Sequence, residues 1–231
     1  MGTRLPGNAL AFKRRLLKWF RSLGRDLPWR HTRDPYRILV SEVMLQQTQV
    51  ARVEDFYRQF LARFPTIRAL ADASPSAVRD AWDGLGYYRR ADNLSRLARI
   101  VVERYDGTIP DDLDSLEALP GIGRYTAGAV ASFAYEKRVP AIDTNVARVL
   151  SRVFPRAAGR HLSRSAAQRR WDLARRLLPR RRRSAWEFNQ ALMDLGALYC
   201  TARRPKCLEC PVRPNCRTGA ARRSTTEPRS A

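Results

Sequence analysis

The four cysteines of this chain fall in one stretch, Cys200-x6-Cys207-x2-Cys210-x5-Cys216, directly after an apolar helical run. Four thiolates this close can enclose one metal centre, which would dictate the path of the chain around them. Ligation by four cysteines holds a cubane iron–sulfur cluster. Structural zinc is the simpler competitor. It usually takes two tight cysteine pairs, and only Cys207 and Cys210 form one. Two disulfides are a third reading, but nothing else in the sequence points to an oxidising compartment. The spacing favours the cluster over zinc, with disulfides behind both.

The 231 residues can bury a core as one large or two small domains. No run is long and apolar enough to span a bilayer. The N-terminal stretch lacks the apolar core and cleavage site of a signal peptide. The expectation is a soluble, cytoplasmic protein. Lys and Arg total 44 against 22 acids, a formal charge of +22, and only Lys13, Lys18, Lys137 and Lys206 are lysines. Arginine grips phosphate with a planar, bidentate fork. Such a charge concentrates a polyanion and makes its binding salt-dependent. Nucleic acid is the natural partner. A membrane surface is disfavoured, because no helix combines that charge with a broad apolar face. Arg180 to Arg183 read as a solvated loop between helices.

Most of the chain has helical period and strand signals are scarce. A first helix covers 10–22, with Leu10, Leu16, Leu17 and Phe20 as its inner face. Asp34-Pro35 opens a stretch through Leu45, and an apolar stripe continues from Val50 to Phe64. Ser74-Pro75 starts a short helix, with Ser74 as its cap. Further helices are expected over 89–105, 113–119, 124–135, 145–154, 163–178 and 184–199. After Cys216 the composition turns to Arg, Ser, Thr, Pro and Ala, so 218–231 reads as a disordered tail.

Three local features carry chemistry. Leu119-Pro120-Gly121-Ile122-Gly123-Arg124-Tyr125-Thr126-Ala127 has the pattern of a helix–hairpin–helix loop. Its two glycines permit a tight turn, and the N–H groups of the following helix can meet a phosphate. An ordinary helix–helix turn is the simpler alternative. Asp143 begins the helix after Pro140-Ala141-Ile142, where an aspartate is most often a cap. Glu42 lies among Ile38, Leu39, Val40, Val43, Met44 and Leu45. Burial there would favour the protonated form that a general acid needs. An exposed Glu42 paired with an arginine is the alternative.

The hairpin, Asp143 and the cysteine loop, in this order, resemble the helix–hairpin–helix DNA glycosylases that carry a [4Fe–4S] cluster. Residues 41–50 (SEVMLQQTQV), Gly84-Leu85-Gly86-Tyr87-Tyr88, Leu27-Pro28-Trp29-Arg30 and residues 188–197 (FNQALMDLGA) look like the adenine DNA glycosylase branch (MutY type). The resemblance covers roughly residues 12–217. It implies an all-α, two-lobed fold with a C-terminal iron–sulfur cluster loop. Residues 28–139 would form a six-helix lobe with the hairpin. Residues 1–27 and 140–217 would form the cluster lobe, and the DNA would lie in the cleft between.

The resemblance also implies roles. Glu42 would protonate the departing adenine, and Asp143 would stabilise the oxocarbenium-like sugar. Asn145 would hydrogen-bond beside Asp143. Tyr125 stands where the endonuclease III branch has its Schiff-base lysine, which implies a monofunctional enzyme. Arg25, Trp29, Leu45 and Gln190 would line the base pocket, although Trp29 and Leu45 could equally be core and Gln190 a surface residue. Gln47 and Tyr88 would wedge into the duplex as the base is extruded. Gly121 and Gly123 would meet the DNA backbone, and Arg203, Arg204, Lys206 and Arg213 would give the cluster loop its charge. Cys200, Cys207, Cys210 and Cys216 would hold the cluster. The expected partner is mismatched double-stranded DNA, met by a monomer associated with the nucleoid.

Two departures from the pattern stand out. The usual Asp-Gly-Asn is Asp143-Thr144-Asn145 here, and the threonine resembles the endonuclease III branch, which has Asp-Thr. Adenine glycosylases of this type also carry a further domain resembling the Nudix fold. The 231 residues hold no candidate for it, so the expectation is weaker discrimination of 8-oxoguanine, or discrimination supplied by the catalytic domain alone. A mismatch thymine glycosylase, a bifunctional enzyme for oxidised pyrimidines, and a non-catalytic DNA-binding protein are the rival readings.

Overall fold

A computed structural model describes residues 5–159 and 164–220. Every regular element among them is helical. The chain divides into two compact units, Met1–Arg25 with Arg138–Ala231, and Asp26–Lys137.

The terminal unit opens with α1 (Ala9–Leu23), whose buried residues are Ala9, Phe12, Leu16 and Trp19. These recur at helical spacing and define one face. Leu10 was expected on that face and is instead 72% exposed. It lies far around the helix from the Phe12–Leu16 stripe, whereas Leu17 and Phe20 border that stripe and pack against the core. The face rests on α12 (Arg182–Leu198), which also packs on α9 (Thr144–Val153). Phe12 meets Phe154 and Phe188 edge-on at 5.2 and 6.4 Å. Short α10 (Pro155–Ala158) and α11 (Arg164–Leu177) add Ala158, Leu173 and Leu177 to the same core. Arg138 donates to the carbonyls of Arg175, Leu178 and Pro179, closing the end of α11.

Arg182 and Arg183 belong to the first turn of α12, so the expected arginine loop is shorter than four residues. Residues 218–220 likewise belong to α13 (Arg217–Ala220), and the rest of the expected tail lies outside the described residues. So does residue 163, where the eleventh helix was expected to begin.

The Asp26–Lys137 unit is built around α2 (Pro35–Leu45). Asp34 caps it by accepting from the N–H groups of Tyr36 and Arg37. Residues Ile38 to Met44 are all buried, because α3 (Val50–Arg63), α6 (Arg89–Tyr105) and α8 (Arg124–Phe133) each pack on it. A helix covered on several sides reads as a near-continuous apolar run. α5 (Pro75–Asp80) is capped by Ser74, as its sequence predicts, and α7 (Leu113–Glu117) by Asp112. The unit holds seven α-helical segments rather than six. The unforeseen one is α4 (Ile67–Asp72), capped by Thr66 and packed on α6. Six residues are too few for a periodic signal.

Candidate active site and metal centre

Glu42 lies inside the Asp26–Lys137 unit at 4% exposure. It sits on α2 because the apolar residues around it bury that helix whatever the acid prefers. An ionisable group in such a place must be hydrogen-bonded. The Tyr125 hydroxyl, on the first turn of α8, donates to Glu42 Oε2 at 2.7 Å. Its burial excludes an exposed helix face for Glu42.

The loop entering α8 is the predicted hairpin. Gly121 has φ +77°, and a Cβ there would meet the Asn93 side chain at 2.7 Å. Gly121→Ala is therefore expected to cost about 1–3 kcal/mol in denaturant unfolding. An unchanged midpoint would refute that account. Gly123 does not need glycine's freedom, because its backbone is extended at φ −104°. It caps α8, and a Cβ there would point into open space. The missing side chain leaves room for another molecule's backbone at the helix N-terminus.

Gln47 and Tyr88 are both exposed in this unit. Gln47 has φ +58°, and the Tyr88 hydroxyl donates to Asp83 at 2.5 Å. Trp29 is buried edge-on against Tyr57, and Leu45 is half-buried at the end of α2.

In the terminal unit Asp143 caps α9. Its Oδ1 accepts from the Val146 N–H at 2.7 Å, and its Oδ2 from Asn145 Nδ2 at 2.8 Å. The cap and the chemical candidate are thus the same carboxylate. Asn189 of α12 fixes the approach to it by donating to the Val139 carbonyl and accepting from the Ala141 N–H. Asn145 accepts from Arg148 at 2.6 Å, and Arg148 also donates to the carbonyls of Gly196 and Cys200. Gly196 must be glycine for space, since a Cβ there would lie 2.6 Å from Asn145 Cβ.

The other two predicted pocket residues, Arg25 and Gln190, also belong to this unit. Gln190 is buried rather than on the surface. Arg25 is held by Asp194, whose side chain is fully buried. Its Nε and Nη2 both reach Asp194 Oδ1 at 2.7 Å, and its backbone N–H reaches Oδ2 at 3.0 Å. Sequence reasoning missed Asp194. The pairing spans 169 positions, and the only local signal was an acid at a core position of α12.

The cysteines are all free, which removes the disulfide reading. Cys200, Cys207, Cys210 and Cys216 line one cavity with Arg152, Tyr199 and Gly219. Four thiols around one cavity are the donor set that a [4Fe–4S] cluster takes. Two sulfurs already receive donors. The Gly219 N–H lies 3.2 Å from Cys216 Sγ, and Arg152 Nη1 lies 3.4 Å from Cys200 Sγ. Such donors stabilise ligating thiolates. Burial pushes the Cys210 thiol up to about 11, with smaller contributions from the neighbouring cysteines. Without iron, then, this is a thiol, and metal binding must release its proton. Arg203, Arg204 and Lys206 are exposed on the loop, with Arg213 half-buried.

The four cysteines would hold a [4Fe–4S] cluster, whose chemistry here is to cross-link the loop through Fe–S bonds. Cys207→Ser is expected to lower iron from about four per chain to well under one. Visible absorbance should fall with it and residues 200–220 should lose exchange protection, while the Asp26–Lys137 unit stays folded. Full iron content in the variant would contradict the ligand set.

No helix among the described residues is long and apolar enough to cross a membrane.

Residues 200–216 match the iron–sulfur binding domain of endonuclease III, in accord with a [4Fe–4S] cluster on these cysteines. The chain is 46% identical over 217 residues to an adenine DNA glycosylase of Rattus norvegicus, covering 90% of this chain and 41% of the rat protein. It is 48% identical over 198 residues to one from Mycolicibacterium smegmatis, covering 85% of this chain and 66% of that protein. The chain thus spans about two-fifths of the mammalian relative's length. Among solved structures it is similar to a thermostable thymine-DNA glycosylase, with TM-score 0.84, 31% identity, and 92% and 97% of the two chains covered. An endonuclease III–DNA covalent intermediate shares the fold, with TM-score 0.77 and 24% identity, covering 91% of this chain and 95% of that one. Residues 40–174, more than half of the sequence, match the HhH-GPD superfamily base excision DNA repair proteins, and the chain belongs to that family.

Proposed function

We propose that this protein is a monofunctional DNA glycosylase that removes adenine mispaired with 8-oxoguanine or guanine. The observation that carries the reading is the Tyr125–Glu42 hydrogen bond at 2.7 Å. It joins a buried acid to a phenol at the position where a lyase needs an amine. The similarity to adenine glycosylases over 85–90% of the chain supports adenine as the base.

In this reading the neutral Glu42 donates its proton to adenine and makes it a better leaving group. The Asp143 carboxylate stabilises the positive charge that develops on the sugar. The Asn145 amide keeps Asp143 Oδ2 oriented, and water adds to the sugar carbon as Glu42, now a carboxylate, takes up its proton. Arg25, Trp29, Leu45 and Gln190 contact the base. Gln47 and Tyr88 enter the duplex, while Gly121, Gly123, Arg203, Arg204 and Lys206 meet its backbone. Residues 28–139 act as the hairpin lobe, and 1–27 with 140–217 as the cluster lobe. The protein acts as a monomer on nucleoid DNA.

The test is single-turnover excision from duplexes that differ only in one pair: A:8-oxoG, A:G, G:T and A:T. Fast adenine loss opposite 8-oxoG or G supports the proposal, and thymine loss from G:T alone overturns it. That second reading is favoured by the likeness to the thymine-DNA glycosylase, at 31% identity and TM-score 0.84. Borohydride trapping on an abasic duplex should give little covalent complex, because a phenol forms no imine. Efficient capture would restore the bifunctional reading.

A further inference from the structure

Two exposed turns of the Asp26–Lys137 unit take unusual backbone conformations, and one buried side chain reaches both. The first follows α2, where Gln47 has φ +58°. The second precedes α6, where Gly84, Gly86 and Tyr87 have φ +84°, +78° and +52°. Non-glycine residues persist in this region only where their surroundings fix them. Both turns point polar or aromatic side chains outward, namely Gln47, Tyr87 and Tyr88.

Arg90 joins the two turns. It sits on the first turn of α6 at 7% exposure. Its Nη1 donates to the carbonyls of Val43 at 3.1 Å, Met44 at 2.6 Å and Gln46 at 2.5 Å. These are the open carbonyls at the end of α2, where a cation is favourable. Its Nη2 donates to Thr48 Oγ1 and to the Gly86 carbonyl, both at 3.0 Å. The guanidinium lies 5.4 Å from the ring centres of both Trp82 and Tyr87. One planar fork therefore ties the residues flanking Gln47 to the turn that carries Tyr88. A lysine offers a single point charge and cannot span both segments.

We propose that Arg90 is a positioning residue for base extrusion, locking the Gln47 and Tyr88 turns in one register so that both side chains enter the duplex as a single wedge. The inference rests on the reading above, in which Gln47 and Tyr88 enter the DNA. Without the clamp each turn relaxes, and the wedge must be rebuilt on every encounter.

The test is a double-mutant cycle. Arg90→Lys is made in the wild-type and in the Gln47→Ala/Tyr88→Ala backgrounds. Two readouts are taken, single-turnover excision and the fluorescence of 2-aminopurine at the target position, which reports unstacking. In the wild-type background both are expected to fall, excision by roughly tenfold or more. In the wedge-less background Arg90→Lys should change neither. Thr48→Val removes one acceptor and should shift both readouts the same way by a smaller amount. It decides the matter if Arg90→Lys does not fold. Equal losses in both backgrounds, or unchanged fluorescence, would overturn the inference. If the wild type neither excises nor unstacks the base, the proposed function fails and takes this inference with it. If the wild type does both and Arg90→Lys is indifferent, only the inference falls.

Discussion

Asp143→Asn is expected to abolish excision, by at least about 10³-fold, and to leave a folded protein that still binds mismatched DNA. The reason lies in the two separate tasks of this side chain. As a cap it must accept from the Val146 N–H, and an asparagine oxygen does that nearly as well. As the proposed electrostatic partner of a sugar cation it must carry a full negative charge, and asparagine carries none. A modest loss of stability is also expected. The new amide would face the Asn145 amide across the 2.8 Å contact that now joins donor to acceptor. That is about 1 kcal/mol, or roughly 2–4 °C in the melting midpoint. Single-turnover kinetics, equilibrium binding and a melting curve on one preparation separate these effects. Retained excision would remove Asp143 from the chemistry and leave it a cap. Binding without excision by the wild type itself would favour the DNA-binding-protein reading.

Asp194→Ala is expected to cost about 3 kcal/mol or more, roughly 6–12 °C in the melting midpoint. Its carboxylate is fully buried and takes the Arg25 guanidinium and the Arg25 backbone N–H. Removing it takes the carboxylate from a largely enclosed cation and from an amide. Arg25→Met should be comparably harmful, because it takes the guanidinium from a buried carboxylate. The double variant Arg25→Met/Asp194→Leu should recover part of the stability, since the penalty comes from breaking a buried pair more than from lacking one. Strict additivity in a denaturant cycle would show that the two residues are not a unit. Excision should stay low in the double variant, because Arg25 is proposed to face the base.

How far the sequence reached depended on the range of each interaction. Ser74 and Asp143 could be read as caps because a cap is a contact within three residues. The cysteine loop was visible because its ligands lie within 17 positions. Leu10 was misplaced because four leucines and phenylalanines gave two possible faces, and the partner α12 chose between them. Gly123 was grouped with Gly121 by type, although only Gly121 has a left-handed backbone. Glu42 was evenly balanced on local sequence. Its neighbours fit a half-buried helix or a fully buried one, and burial was settled by α3, α6 and α8 together. Asp194 and Arg90 were missed because their partners lie 169 and up to 47 positions away.

The arginines that grip backbone carbonyls change what the formal charge of +22 means. Arg90, Arg138, Arg148 and Arg152 direct guanidinium N–H groups at main-chain oxygens within the protein. A donor spent on a carbonyl is not available to a phosphate. Titrating DNA affinity against salt therefore counts phosphates engaged, with a slope of about 0.9 per contact, and not the surplus of basic residues. The slope should fall far short of twenty-two. Exchanging these four arginines for lysine would keep the net charge at pH 7, yet remove the clamps. Two proteins of identical electrostatic composition would then differ in stability, and only the arginine form would keep its helix ends closed.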